Sequence, residues 1–346
     1  MLFDIKSPDW GREERAIHNL MQAVLKEVKN RNQFVRVDFD KVSPGHKDFT
    51  GGRNDSYIAN YLENACNNRK RVKKNFQRAH QKDRKFSSWK KSFRFTSHEG
   101  MPFTKSLRKL MEETYDNLLV SRGFKVFGGK VDRKWMIEKY RLANPTALCC
   151  PYCGGTWKSN NATLDHFFPK SLYPTLSVSL WNLIPVCRTC NVEYKQQRDP
   201  LKGNCDNGAI MSVRLPYHGG LFRFMELSFK EKEDCDIVIV QAKKGTSELI
   251  RCQIENFVHV INLNKRWSEE LRDLKTRFYL ELLSQYNRGE VLKLSEAREF
   301  LQKRTIWYDE QIKYDDFIFL KAEYLKWLLK QEDWLEYLWY LDIDNK

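Results

Sequence analysis

CPYCGGTWKSNNATLDHFFPKSLYPTLSVSLWNLIPVCRTCNVEYK, residues 150–195, decides how the rest of the chain is read. It holds two Cys-x-x-Cys pairs, Cys150/Cys153 and Cys187/Cys190. Each pair makes a tight knuckle, and two knuckles make the tetrahedral thiolate cage in which structural zinc is held. Between and just after them stand Asp165-His166, Asn182 and Asn191. One carboxylate, one imidazole and two carboxamides are hard or borderline donors, suited to a magnesium-like ion and not to a second zinc. The cysteines alone favour a zinc ribbon without chemistry. The Asp-His pair, the spaced asparagine and the Cys-Asn turn shift the reading toward catalysis.

Hydrolysing a phosphodiester takes an activated water in line with the leaving oxygen and a positive centre where negative charge builds. His166 is the candidate general base, because an imidazole with a reference pKa of about 6.5 exchanges protons near neutral pH. At the end of a strand successive side chains alternate, so one of Asp165 and His166 faces the water while the other faces the metal. Asn191 opens an expected helix over 191–198, and Asn182 lies on an expected returning strand over 181–186.

The runs Cys-Pro-Tyr-Cys, Leu-Asp-His-Phe-Phe-Pro-Lys, Trp-Asn-Leu-Ile-Pro-Val-Cys and Cys-Asn resemble the HNH endonuclease family and its ββα-metal fold, in the variant whose zinc knuckles clamp the hairpin to the helix. The closest flavour is that of HNH nucleases in bacterial anti-phage systems such as Septu and Zorya. The resemblance covers this stretch alone. It implies that Asp165 and Asn191 ligate a catalytic Mg²⁺ or Mn²⁺, that His166 activates water, and that Asn182 pins the hairpin loop and so aims the histidine. It implies a structural Zn²⁺ on Cys150, Cys153, Cys187 and Cys190. The lysine that in the family follows the last ligand after two residues comes here after three, as Lys195.

The expected fold class is α+β: mostly helical, with a central zinc-clamped ββα-metal module and a small C-terminal β-hairpin or sheet. Three regions are expected. Residues 1–145 form a basic, DNA-gripping helical region and 146–205 the nuclease module. Residues 206–346 combine the hairpin with aromatic-rich helices for packing or partner binding.

With 346 residues, 41% hydrophobic and 30% charged, the chain is long enough for a real core and is not disordered. No stretch approaches the ~20 apolar residues of a membrane span, and the N-terminus lacks the basic-then-apolar design of a signal peptide. Nine cysteines, four committed to zinc, leave Cys66, Cys149, Cys205, Cys235 and Cys252. That odd remainder fits a reducing compartment, and a cytoplasmic protein is expected. The glycine pairs resemble no phosphate-cradling loop.

The net charge of +15 is unevenly placed. Residues 69–94 carry twelve Lys or Arg against Asp83 alone, a balance of +11, whereas 309–346 carry ten acids against five lysines. A basic block of this kind is the footprint of a polyanion partner, of which the phosphate backbone is the usual one. Arg69, Lys70, Arg71, Lys73, Lys74, Arg78, Lys82, Arg84 and Lys85, with Lys170 and Lys195 from the central module, are the candidate nucleic-acid contacts. Phe76, Phe86, Trp89, Phe93 and Phe95 interleave with the charges; their helical spacing favours core packing over base stacking.

Along the chain, Ile17, Leu20, Met21, Val24, Leu25 and Val28 share one helix face, and the alternation Val35, Val37, Phe39 reads as a strand. A loop over 43–55 precedes one long helix from Ser56, with helices over 104–120 and 131–142 after it. Beyond Pro200 come strands over 221–229 and 237–241. Helices over 247–260 and 268–286 follow, the latter capped by Ser268, then an aromatic helix pair from Ser295 carrying Trp327, Trp334 and Trp339.

The function expected is a metal-dependent DNA endonuclease that grips the backbone without reading sequence. The alternatives are a zinc-clamped nucleic-acid adaptor without catalysis, and a nuclease subunit of a defence complex that is silent until a partner docks.

Overall fold

The first helix, α1 (Gly11–Asn30), buries Ile17, Leu20, Met21, Val24, Leu25 and Val28, the face its periodicity marks out. The computed structural model describes residues 5–42, 56–88, 95, 103–126, 129–145, 149–155, 162–203, 205, 210–215, 217–230, 236–289, 293–310 and 317–331. The expected loop over 43–55 and Trp89, Phe93, Cys235, Trp334 and Trp339 lie outside these residues.

The strand expected at 35–39 is instead a helix, α2 (Arg36–Val42). Only Phe39 of the three alternating residues is buried; Val37 is 59% exposed. Among the described residues no strand pairs with this segment, which satisfies its backbone as a helix, and Asp38 ion-pairs with Arg31 at 3.0 Å.

The long helix expected from Ser56 is two, α3 (Ser56–Cys66) and α4 (Lys70–Asp83). Asn68 makes the break by donating its amide to the carbonyls of Asn64 and Ala65, ending α3 as a side-chain cap would. Across the break lies Lys73, an expected nucleic-acid contact. It is 1% exposed, and its Nζ donates to the carbonyls of Cys66 at 2.8 Å and Arg31 at 2.5 Å. These carbonyls sit at the C-terminal ends of α3 and α1, where a cation meets the negative end of each helix dipole. Lys73 is a shared internal cap, unable to reach a ligand.

Phe76 and Phe86 are fully buried and Phe95 nearly so; Phe76 packs on Phe103, while Phe86 and Phe95 pack on each other and on Phe168, and Phe95 also on Tyr173. These aromatics are core. The chain continues through α5 (Lys105–Glu113), which widens into a π-helical stretch (Thr114–Arg122), a small hairpin β1 (Phe124–Val126) and β2 (Gly129–Val131), and α6 (Arg133–Ala143). Asp132 caps α6 by accepting from the Trp135 amide at 2.9 Å.

At the centre, β3 (Ala162–His166) pairs antiparallel with β4 (Leu183–Cys187), setting Asp165 opposite Ile184 and His166 opposite Leu183. A short π-helical turn (Cys190–Lys195) follows at once. Beyond it, β5 (Met225–Lys230) and β6 (Ile237–Ala242) form the C-terminal hairpin, followed by α7 (Glu248–Ile261), α8 (Leu263–Asn287), α9 (Leu294–Glu310) and α10 (Ile318–Leu328). The α+β class holds.

Ser268 does not cap its helix. Helix α8 starts at Leu263, directly after a left-handed Asn262 with φ of 53° that ends α7. Ser268 is thus internal: its hydroxyl donates to the Asn264 carbonyl and accepts from the Val238 amide at 2.8 Å. Asn264 likewise accepts from the Val240 amide. Two polar side chains of α8 satisfy the outer edge of β6.

Candidate active site

Two turns gather the four thiols. Cys150 and Gly155 close the first, with Gly154 at φ 79° and its amide bonded back to the Cys150 carbonyl; the second is the exit of β4 into the helical turn. The sulfurs of Cys150, Cys153, Cys187 and Cys190 all lie within 4.8 Å of one another, and Cys153 and Cys187 are 3.9 Å apart. A tetrahedron with zinc–sulfur bonds of about 2.3 Å has edges of about 3.8 Å. The cage therefore fits zinc.

Amides of Gly155, Cys187 and Cys190 point at sulfurs from 3.4 Å. Hydrogen bonds from the Cys150, Cys153 and Cys190 thiols hold Cys187 far below the usual thiol range, while burial pushes Cys150 up. Near the cage, Arg266 stacks over Tyr194 and Phe317. Burial opposes the Arg266 charge, but the sulfurs and Glu270 raise its pKa overall.

His166 closes β3. Its Nε2 lies 2.8 Å from the Ser177 carbonyl, and the edge of Tyr115 packs on its ring with centroids 4.2 Å apart. A carbonyl can only accept, so Nε2 carries the proton and Nδ1 presents its lone pair. Burial holds the imidazole down at about 3, aided by the nearby Lys170 and Lys195 charges and opposed by the Ser177 bond. The ring is neutral near pH 7, in the form that takes a proton from water.

Asn182 is fully buried. Its Oδ1 accepts from the Phe168 amide at 2.9 Å, and its Nδ2 donates to the carbonyls of Phe168 and Leu176. It ties together both ends of the loop that carries Ser177. Asn191 donates its amide to Thr163 Oγ1 and the Leu164 carbonyl, which turns its side-chain oxygen away from β3.

Asp165 is more committed than its sequence suggests. Tyr152 donates to its Oδ2 at 2.7 Å, and the Lys195 ammonium lies 3.1 Å from both oxygens. Burial raises its carboxyl above the usual range despite the pull of Lys195 and Tyr152. By donor type, the carboxylate of Asp165 and the carboxamide of Asn191 suit a Mg²⁺-like ion.

Lys195, expected to meet nucleic acid, is 0% exposed; besides Asp165 it donates to the His166 carbonyl at 2.7 Å. Its position one turn beyond Asn191 points it inward, under the hairpin. Lys170 stands at the rim, paired with Asp116 at 2.6 Å and lying over the Tyr115 ring. On α4 and its flanks, Arg69, Lys70, Arg71, Lys74, Arg78, Lys82 and Lys85 are exposed and Arg84 is half-buried. Tyr115, Tyr152 and the Ser177 carbonyl escaped sequence reasoning. Tyr152, between the knuckle cysteines, and Ser177 stand inside the recognisable stretch, whereas Tyr115 lies outside it.

A zinc-type knuckle that fastens a hairpin to a following helix, with a histidine at the hairpin's end, is the ββα-metal architecture. Residues 150–197 match the HNH endonuclease family, and this part of the chain is an HNH endonuclease domain. Over 48 residues the chain is 46% identical to Protein ea31 of Escherichia phage lambda, a match that takes in 14% of this chain and 16% of that protein. The chain thus spans well under two thirds of the relative it matches. No solved structure matches. Among the described residues no helix is long and apolar enough to cross a membrane.

Proposed function

We propose that the chain is a metal-dependent DNA endonuclease in which His166 Nδ1 takes a proton from the attacking water while Nε2–H stays anchored on Ser177. The observation that carries this reading is that anchor: it fixes tautomer and aim together. Asp165 and Asn191 are the residues that would hold a Mg²⁺- or Mn²⁺-like ion, which when bound supplies positive charge where the leaving oxygen develops its own. Asn182 keeps the loop closed on the histidine, and Lys195 holds the Asp165 carboxylate in place. Cys150, Cys153, Cys187 and Cys190 keep hairpin and helix in register around a structural Zn²⁺. The exposed cations of α4 grip phosphates without reading bases, so binding weakens steeply with salt.

In this reading residues 1–145 bind, 146–205 cut, and 206–346 buttress or recruit. A cytoplasmic setting rests on the cysteine usage, and a role in defence against phage on the resemblance to Septu and Zorya nucleases; plating efficiency of phage on cells with and without the protein tests that role. For the chemistry, supercoiled plasmid is incubated with Mg²⁺ or Mn²⁺. Wild type should nick it and His166→Ala should not, with zinc content and melting unchanged. Equal nicking by both proteins refutes the base assignment. A non-catalytic adaptor is the second reading, favoured by the commitment of Asp165 to Lys195 and Tyr152. It requires salt-sensitive DNA binding with no metal-stimulated cutting.

A further inference from the structure

The loop 167–182 that carries the Ser177 carbonyl is held from outside the HNH domain. Helix α1 sends Glu14 into it: Oε1 accepts from Ser179 Oγ at 2.8 Å and Oε2 from the Leu180 amide at 2.7 Å. The last residue of α4, Asp83, accepts from Thr175 Oγ1 at 2.9 Å. Thr175 lies two residues before Ser177 and Ser179 two after it, so the two carboxylates bracket the carbonyl that receives His166 Nε2–H.

Both are buried, Glu14 at 8% and Asp83 at 0% exposure. Placing carboxylates in a core costs free energy that an apolar contact would not. Hydrophobic side chains would have sufficed to pack this loop, since Leu176, Leu180 and Phe168 already do so. What carboxylates add is direction: each accepts from specified donors at fixed angles and holds the peptide between them in one orientation.

We propose that Glu14 and Asp83 are positioning residues for His166, acting through the 175–180 segment to keep the Ser177 carbonyl on Nε2. The proposal rests on the reading of His166 as the base. It also makes the basic helix α4 contiguous, through its own terminal residue, with the support of the catalytic imidazole.

The test reads tautomer and turnover separately. Long-range ¹H–¹⁵N correlation spectra, with the His166 signals assigned by their loss in His166→Gln, should show a single Nε2–H tautomer in wild type. Glu14→Ala should show a tautomer mixture, and kcat should fall about tenfold with KM within about twofold, as for misaim without lost binding. Glu14→Gln, whose oxygen still accepts from Leu180 and whose amide can donate to Ser179, should restore both. Should Glu14→Ala fold poorly, Ser179→Ala removes a single donor and should move tautomer and kcat in the same direction by a smaller amount. A single tautomer with wild-type kcat in these variants overturns the proposal, as does a lost tautomer that Gln does not rescue. If not even wild type cleaves, the endonuclease reading falls while the tautomer spectra still decide this one.

Discussion

Two lysines and a row of their neighbours make the instructive contrast in this molecule. In the HNH domain, Lys195 is sealed under the hairpin against Asp165 and the His166 carbonyl; on α4, Lys73 is sealed between two helix ends, while Lys70, Lys74 and Arg78 on the same helix face solvent. All are basic residues in basic or catalytic stretches. Their roles diverge because a helix presents opposite faces within two residues, so composition locates a charged segment but not which of its charges a ligand can meet.

The largest blow to the internal side should come from Cys153→Ser. Losing one thiolate should release the metal, and zinc binding in such small units is worth on the order of 10 kcal/mol. Zinc stoichiometry and a thermal melt measure it, and a stable, zinc-loaded variant would break the view of the cage as the domain's anchor. Next comes Lys195→Met, which leaves a buried carboxylate unpaired and should cost about 3–5 kcal/mol in urea unfolding. A loss under about 1 kcal/mol would put Lys195 with the surface cations after all.

Acid should expose a smaller internal cost. Burial holds His80, stacked on His18, down at about 3, whereas an unfolded imidazole protonates near 6.5. As pH falls below about 6.5 the unfolded chain binds a proton that the folded one refuses. His80 therefore removes about 1.4 kcal/mol of stability per pH unit until its folded pKa is reached. His80→Phe should reduce the slope of unfolding titrations between pH 6.5 and 4 by about that amount, leaving the part due to His18, which burial holds down at about 4. Smallest in stability is Lys74→Met: a change within about 0.5 kcal/mol, with the slope of log K against log salt for DNA binding reduced by about 0.9. An unchanged salt slope would remove Lys74 from the grip.

What was legible beforehand follows the range of the interactions involved. The cysteine knuckles, the Asp-His pair and the asparagine, which stands just before the returning strand and not on it, are linked by short spacing, and the structure brings all of them into one module. Glu14 and Ser179 are 165 residues apart. Neither looks unusual alone, and their meeting is a property of packing that no local pattern carries. Residues 36–39 form a helix because the five residues of alternation from Val35 to Phe39 suit a strand or one helical turn equally, and a strand needs a partner that the described residues do not offer there. Ser268 was misread because the helix before it ends in a single left-handed residue, leaving no gap for a separate cap.

The first knuckle has two further attachments. Trp267 on α8 donates its indole to the Cys153 carbonyl at 2.9 Å, and the Phe317 amide bonds to the Gly154 carbonyl at 2.9 Å. The HNH domain is thus riveted to the rest of the fold, its cysteine-bearing loop serving as masonry for helices more than a hundred residues downstream. Strain in α8 or at the start of α10 therefore has a direct route, through Trp267 and Phe317, to the loop that carries Cys150 and Cys153.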